Sequence, residues 1–259
     1  MVLLQGELLR WGEVVSVKPC AANILICRNS QAVAEETAER FICAARRSVA
    51  ERGAFFVALS GGNSPRDTYR HLASETIRDQ VPWEKTFVFF TDERCVPPDH
   101  EESNYKLAND LLLSKVPIPS LNIFRFPGEL QPADAALQYD QILRNRLGDA
   151  PRFDFILLGM GYDTHTASLF PNSPALSELT RLAVENFVAR LNTYRLTLTI
   201  PILRNARQII ILALGEQKAG AVRDVLQGPT DEQAHPVQAI RPTDGRLLWI
   251  IDQEAASEL

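Results

Sequence analysis

The stretch FDFILLGMGYDTHTASLFP, Phe153 to Pro171, decides how the chain is read. FDFILL, Phe153 to Leu158, is an apolar run that reads as a buried strand. The run breaks at Gly159 and Gly161, and Asp163, Thr164, His165, Thr166 and Ser168 then fall within six positions. A core strand that ends in a crowded polar loop is what open parallel α/β sheets present, because their ligands bind beyond the C-terminal ends of the strands.

Working outward, the same alternation recurs along the chain. Ile24 to Cys27 reads as a strand, and Ser30 to Arg52 as a helix with Val33, Thr37, Phe41 and Ala44 on one face. Ser30 is the expected N-cap and Gly53 the expected stop. FFVALS (Phe55 to Ser60) and TFVFFTD (Thr86 to Asp92) read as strands, followed by helices at Pro65 to Ala73 and around Asn104 to Leu113. The second half continues with NIFRF, the helix DAALQYDQILRNRL, FDFILLG, RLTLTIP, QIIILALG, the helix EQKAGAVRDVLQ and RLLWIID. Continuously apolar strands suit a sheet covered on both faces. The expected fold is a Rossmann-like α/β arrangement, a mostly parallel sheet with helices on both faces, forming a single domain over residues 1–259.

Composition excludes several function classes. The chain has 259 residues, 46% hydrophobic and 23% charged, with a formal charge of −5, as expected of an enzyme-sized globular protein. That net charge disfavours a nucleic-acid or anionic-membrane partner and leaves room only for a local basic pocket. Cys20, Cys27, Cys43 and Cys95 show no CxxC pairing and no histidine at finger spacing, so neither a zinc site nor a disulfide framework is expected. The N-terminal segment carries Glu7, Arg10 and Glu13 with no basic residue ahead of its short apolar run, which is not a signal peptide. A cytoplasmic protein, monomer or homodimer, is the expectation.

Three other strand ends carry chemistry. In LSGGNSPRDTY, Ser60, Gly61, Gly62, Asn63 and Ser64 lead into a helix, offering backbone N–H groups and hydroxyls to an anion. The alternative is an ordinary turn with Ser64 as N-cap and Pro65 at the first helical position. In FFTDERCVPPDH, Arg94 can clamp a phosphate, and Asp92 can orient it or act as a base; a solvated charge triplet is the plainer reading. Cys95, beside Arg94, reads as incidental. In LALGEQKAG, Lys218 sits in a first helical turn, against the helix dipole unless an anion compensates it. His165, with Asp163 two residues before it, is the candidate base, since an imidazole with an ordinary pKa of ~6.5 can take and return a proton near neutrality. His71, His100 and His235 read as surface residues. No GxSxG occurs, so a nucleophile elbow is excluded.

Taken together, SGGNSP, TDERCVP with SNYK, LLGMGYDTHTASLFP and GEQKA resemble, in order and spacing, the 6-phosphogluconolactonases of the glucosamine-6-phosphate isomerase/6-phosphogluconolactonase family. The resemblance runs over nearly the whole chain. It implies hydrolysis of 6-phospho-D-glucono-1,5-lactone to 6-phosphogluconate in the oxidative pentose phosphate pathway, with neither metal nor organic cofactor. It further implies His165 as general base supported by Asp163, with the Ser60–Ser64 loop, Arg94 and Lys218 on the 6-phosphate. Arg195, opening RLTLTIP, is a further candidate for that pocket, and Asp92 falls where the related isomerases place a proton-transfer base. Those isomerases and deaminases carry a glutamate five residues after the histidine, where this chain has Phe170. A non-catalytic sugar-phosphate-binding protein is the reading from another class, which the Asp163–His165 pair disfavours. One position departs from the family: Thr164 stands where glycine is usual. A positive φ there would strain threonine by ~1 kcal/mol or more; with ordinary geometry its side chain would merely narrow the pocket.

Overall fold

The computed structural model describes residues 22–259 and, ahead of them, the backbone of Val2–Leu4 (β1), Glu7–Leu9 (β2) and Val14–Val17 (β3). Arg10, Glu13 and Cys20 lie outside the described residues. The chain continues through β4 (Ala22–Cys27), α1 (Ser30–Arg52), β5 (Phe55–Leu59), α2 (Arg66–Leu72), β6 (Thr86–Phe90), β7 (Asp92–Arg94) and α3 (Asn104–Leu111). It then forms α4 (Pro132–Leu147), β8 (Phe155–Gly159), β9 (Ala183–Val188), β10 (Thr193–Leu198), α5 (Ile200–Arg204), β11 (Gln208–Ala213), α6 (Ala219–Gln227) and β12 (Arg246–Asp252).

The main sheet has the order β3-β4-β12-β11-β8-β5-β6, parallel throughout except for β3 against β4. Consecutive residues of β8 and β11 are buried, and successive strand side chains point to opposite faces, so both faces of this sheet are covered. The apolar runs therefore form strands because they fill two packed layers at once. α1 contributes Val33, Thr37, Phe41 and Ala44, the expected face, and Phe41 meets Phe55 and Phe155 edge-on at 5.2 and 5.5 Å between ring centres. Each such pair adds about 0.5–1.5 kcal/mol beyond its buried area. Gly53 ends α1 at φ 79°, its N–H bonded to Val49 O.

Four differences from the sequence reading have physical causes. Asn29, not Ser30, caps α1, its side chain accepting from Ala32 N at 2.9 Å. The expected strand Thr86 to Asp92 ends at Phe90, and Asp92–Arg94 leaves for a second, antiparallel sheet of order β7-β10-β9. RLTLTIP joins that small sheet rather than the main one, because its alternating polar residues suit an antiparallel strand. NIFRF is not a strand; Ile123 makes an isolated bridge to Val88. Among the described residues, no helix is long and apolar enough to cross a membrane.

β11, β8, β5 and β6 are neighbours in the sheet. Their C-terminal ends bring the GEQKA, GMGYDTHTAS, SGGNS and TDER segments to one edge, which is the consequence of the fold that matters for function.

Candidate active site

The loop after β5 owes its shape to its missing side chains. A Cβ on Gly61 would lie 1.8 Å from Asn104 Oδ1, so only glycine lets Asn104 close over the loop. Asn104 in turn donates from Nδ2 to Asp92 O at 2.9 Å. Gly62 takes φ 81°, which glycine adopts without cost. The Ser60 hydroxyl is buried with no partner among the described residues, while its carbonyl accepts from the buried Tyr69 hydroxyl at 2.6 Å. Ser64 does not cap α2, whose N-terminus has no side-chain cap; its hydroxyl accepts from Lys218 Nζ at 3.1 Å instead. The ordinary-turn reading thus loses its main support. Lys218 is held by the turn after β11, where Asp252 at the end of β12 accepts from Gly215 N at 3.0 Å. Burial pushes the Lys218 ammonium below its ordinary range, with Asp252 opposing, and an anion bound beside it would offset that cost.

The charged triplet Asp92, Glu93 and Arg94 is not a solvated run. Glu93 is 2% exposed and accepts from the backbone N–H groups of Asn104 and Tyr105 at 2.7 and 2.8 Å, which plugs the N-terminus of α3 and sets Asn104. Burial raises its pKa, against those backbone bonds. Asp92 is also buried; its Oδ2 accepts from Ser168 Oγ at 2.7 Å and its Oδ1 from Thr91 Oγ1 at 3.1 Å, tying this strand end to the loop after β8. Arg94 donates to Glu102 O and lines the cleft. Burial raises the Cys95 thiol pKa and outweighs the cation that lowers it, which is Arg195 rather than Arg94.

The loop after β8 is a tight hairpin. Gly161 N bonds to His165 O at 2.9 Å and Thr164 N to Gly161 O at 3.0 Å. A Cβ on Gly161 would come within 2.2 Å of the His165 ring, so this glycine makes room for the imidazole. His165 Nδ1 hydrogen-bonds Asp163 Oδ1, and its ring stacks on Phe170 at 4.4 Å and 22°. Arg190 Nη2 lies 2.5 Å from Asp163 Oδ2, with its guanidinium over the Phe170 ring. Burial works to raise the Asp163 pKa, but the His165 hydrogen bond and charge, then Arg190, hold the carboxyl below the usual aspartate range. An ionised Asp163 requires the proton on Nδ1, which leaves Nε2 as the acceptor. β9 and β10 brace the loop from behind: Asn186 Nδ2 donates to Ser168 O at 2.8 Å, and Ser168 N to Thr197 Oγ1 at 3.2 Å.

One cleft is lined by Ser60 through Ser64, Asp92, Arg94, Asn104, His165 and Lys218. It is an open cleft lined mainly by polar groups, a setting for a small polar ligand. Donors and cations from three strand ends form one wall and an imidazole the other. Comparison with known proteins agrees with this architecture. The family model described as glucosamine-6-phosphate isomerases/6-phosphogluconolactonase matches residues 28–249.

The chain belongs to this family.

A 6-phosphogluconolactonase of Synechocystis is 41% identical over 219 residues, covering 82% of this chain and 88% of its own. A probable 6-phosphogluconolactonase of Arabidopsis thaliana is 38% identical over 231 residues, covering 82% and 84%. The solved 6-phosphogluconolactonase of Trypanosoma cruzi superposes with a TM-score of 0.80 at 27% identity, covering 95% of this chain and 98% of that one.

In this member of the family Thr164 has φ 66°, the left-handed conformation that glycine supplies without strain. The residue is buried, and its surroundings hold it there. Its carbonyl accepts from Val237 N at 3.1 Å, and its hydroxyl lies 3.4 Å from Ala234 O and 3.3 Å from His235 Nδ1. The side chain points to the 234–237 segment, so the pocket-narrowing alternative falls. His235 is accordingly half-buried against this loop rather than a surface residue. Two candidates stand off the cleft. Asp163 lies behind His165, and Arg195, paired with Arg94 across the β7–β10 ladder, is not among the lining residues. Two others escaped the sequence reading. Asn104 was legible only as part of SNYK, and Arg190, on a turn beyond β9, had no local signal at all.

Proposed function

We propose that the chain hydrolyses 6-phospho-D-glucono-1,5-lactone to 6-phosphogluconate, with His165 as the base. The observation that carries this reading is His165, backed by Asp163, facing a cleft whose other wall holds Ser60, Ser64, Arg94 and Lys218. His165 Nε2 takes a proton from water as the water oxygen attacks the lactone carbonyl. The tetrahedral intermediate collapses, the bond from carbonyl carbon to ring oxygen breaks, and the imidazolium returns the proton to that oxygen. Asp163 stabilises the imidazolium between the two transfers, and Arg190 keeps Asp163 ionised. The Ser60–Ser64 loop, Lys218 and Arg94 hold the 6-phosphate, so binding energy far from the carbonyl fixes its approach to the water. No step calls for a metal or organic cofactor.

The isomerase or deaminase reading has less support. The position five residues after the histidine is Phe170, whose ring lies flat on His165 and offers no carboxylate. Asp92, the base in that reading, already accepts from Ser168 and Thr91. The test is to offer the chain 6-phosphogluconolactone and glucosamine-6-phosphate in parallel. Hydrolysis of the first without deamination of the second is the expected outcome; deamination without accelerated hydrolysis overturns the reading.

A further inference from the structure

A second polar cleft lies at the opposite edge of the main sheet, where the strands begin. It is lined by Arg47 and Arg52 of α1, Arg152 ahead of β8, Arg207 ahead of β11 and Arg246 at the start of β12. These five guanidinium groups face three carboxylates, those of Glu51, Asp154 and Asp244, which leaves an excess of two positive charges in a chain whose formal charge is −5. Such crowding of like charge is unfavourable unless something negative sits among it.

The carboxylates fix part of the cluster and leave the rest uncommitted. Asp154 is buried; its Oδ2 accepts from Phe56 N at 2.9 Å, and its Oδ1 lies 3.0 Å from Arg52 Nε and 3.3 Å from Arg207 Nε. Arg52 completes its bonds on Ser48 and Glu51. Asp244 takes both terminal nitrogens of Arg152, whose Nε is buried with no partner among the described residues. The side chains of Arg47 and Arg246 make no hydrogen bond or ion pair among the described residues, and Arg207 spends only Nε. The cleft therefore holds forked donors on a fixed frame, with several unused, which is the arrangement that recognises phosphoryl and carboxylate oxygens.

We propose that this cleft is an anion-binding site separate from the catalytic one, taking a compact polyanion with phosphoryl or carboxylate oxygens. Four of the five arginines precede or open a strand, or end the helix before one, whereas groups of the first cleft follow three of those strands, β5, β8 and β11. The length of β8 alone, five residues, puts about 13 Å between the two edges. That separation makes the two clefts distinct sites that one small anion cannot bridge.

The test is calorimetric titration of the chain with inorganic pyrophosphate, then with citrate. The parent is expected to take up pyrophosphate at two sites. The pair Arg47→Glu and Arg246→Glu should weaken one of them by roughly ten-fold or more, while Lys218→Ala weakens the other. Both arginines are exposed and have no partner among the described residues, so this variant should keep the parent's melting temperature and lactone hydrolysis; the milder Arg47→Gln with Arg246→Gln serves if it does not. The tighter of pyrophosphate and citrate at the arginine site names the group it recognises. Two sites of unchanged affinity in both arginine variants, or a single parental site that Lys218→Ala abolishes, overturns the proposal. Loss of a site in the arginine variants while Lys218→Ala changes nothing upholds this cleft and instead removes Lys218 from the catalytic one.

Discussion

The loops after β5 and after β8 solve opposite problems with similar residues. The Ser60–Ser64 loop keeps side chains away: Gly61 yields to Asn104, Gly62 supplies the positive φ, and the Ser60 hydroxyl is buried with no partner among the described residues. The loop after β8 keeps side chains in: Gly161 yields to the His165 ring, and the positive φ values fall on Thr164 and Ala167, which are not glycines. A loop that receives an anion spends its glycines on backbone access. A loop that aims an imidazole spends one glycine on space and accepts strain elsewhere, because bonds from Val237 to Thr164 and from Ser168 to Asp92 hold it in place. The first loop is accordingly expected to govern affinity and the second turnover.

Substitutions can break that contrast. The largest effect belongs to His165→Ala, expected to lower kcat by ~10²–10⁴ while leaving KM nearly unchanged; near-parental turnover in steady-state assays would remove the proposed base. Gly161→Ala should follow, with kcat down by ~10² because its Cβ displaces the imidazole by about 1 Å. A Gly161→Ala variant that instead raised KM alone would erase the distinction between the loops. Lys218→Ala is expected to raise KM by roughly 10–100-fold, the equivalent of losing one charge-assisted hydrogen bond, with kcat within about two-fold. A fall in kcat at constant KM would move Lys218 from binding into the chemistry.

The smallest effect is on stability. Asp163 is held below its ordinary pKa, so the stability it contributes is present above ~3.9 and disappears as pH falls through the folded value. Denaturant titrations should therefore show a steady gap between parent and Asp163→Asn above pH ~5 that closes as pH falls below ~4. A gap that does not close on the acid side would mean the carboxylate is not stabilised by its partners.

The parallel core was legible because its strands are buried on both faces and therefore uniformly apolar, as in QIIILA and FILLG. The short antiparallel sheet was not: β7 has three residues, and DER reads as a charged loop until its partner β10 is known. Site residues that follow strands directly, such as Ser60, Asp92 and His165, could be found from the ends of apolar runs. Arg190 could not, since only the closure of β9 and β10 behind the loop brings it to Asp163. The role of Thr164 was half-visible. Its departure from glycine could be read, but its bonds to Ala234, His235 and Val237 join residues some 70 positions apart.

Thr164 is thus where the account is most exposed. Relief of strain in Thr164→Gly, about 1 kcal/mol, is offset by the greater flexibility of an unfolded glycine, about 0.5–1 kcal/mol, so the fold should change little. The decisive measurement is the initial rate of 6-phosphogluconolactone hydrolysis by the parent chain and by Thr164→Gly, each corrected for spontaneous hydrolysis. The parent is expected to hydrolyse the lactone well above the spontaneous rate, and Thr164→Gly to stay active with altered turnover. A parent no faster than the spontaneous reaction, with activity appearing only in Thr164→Gly, would contradict it.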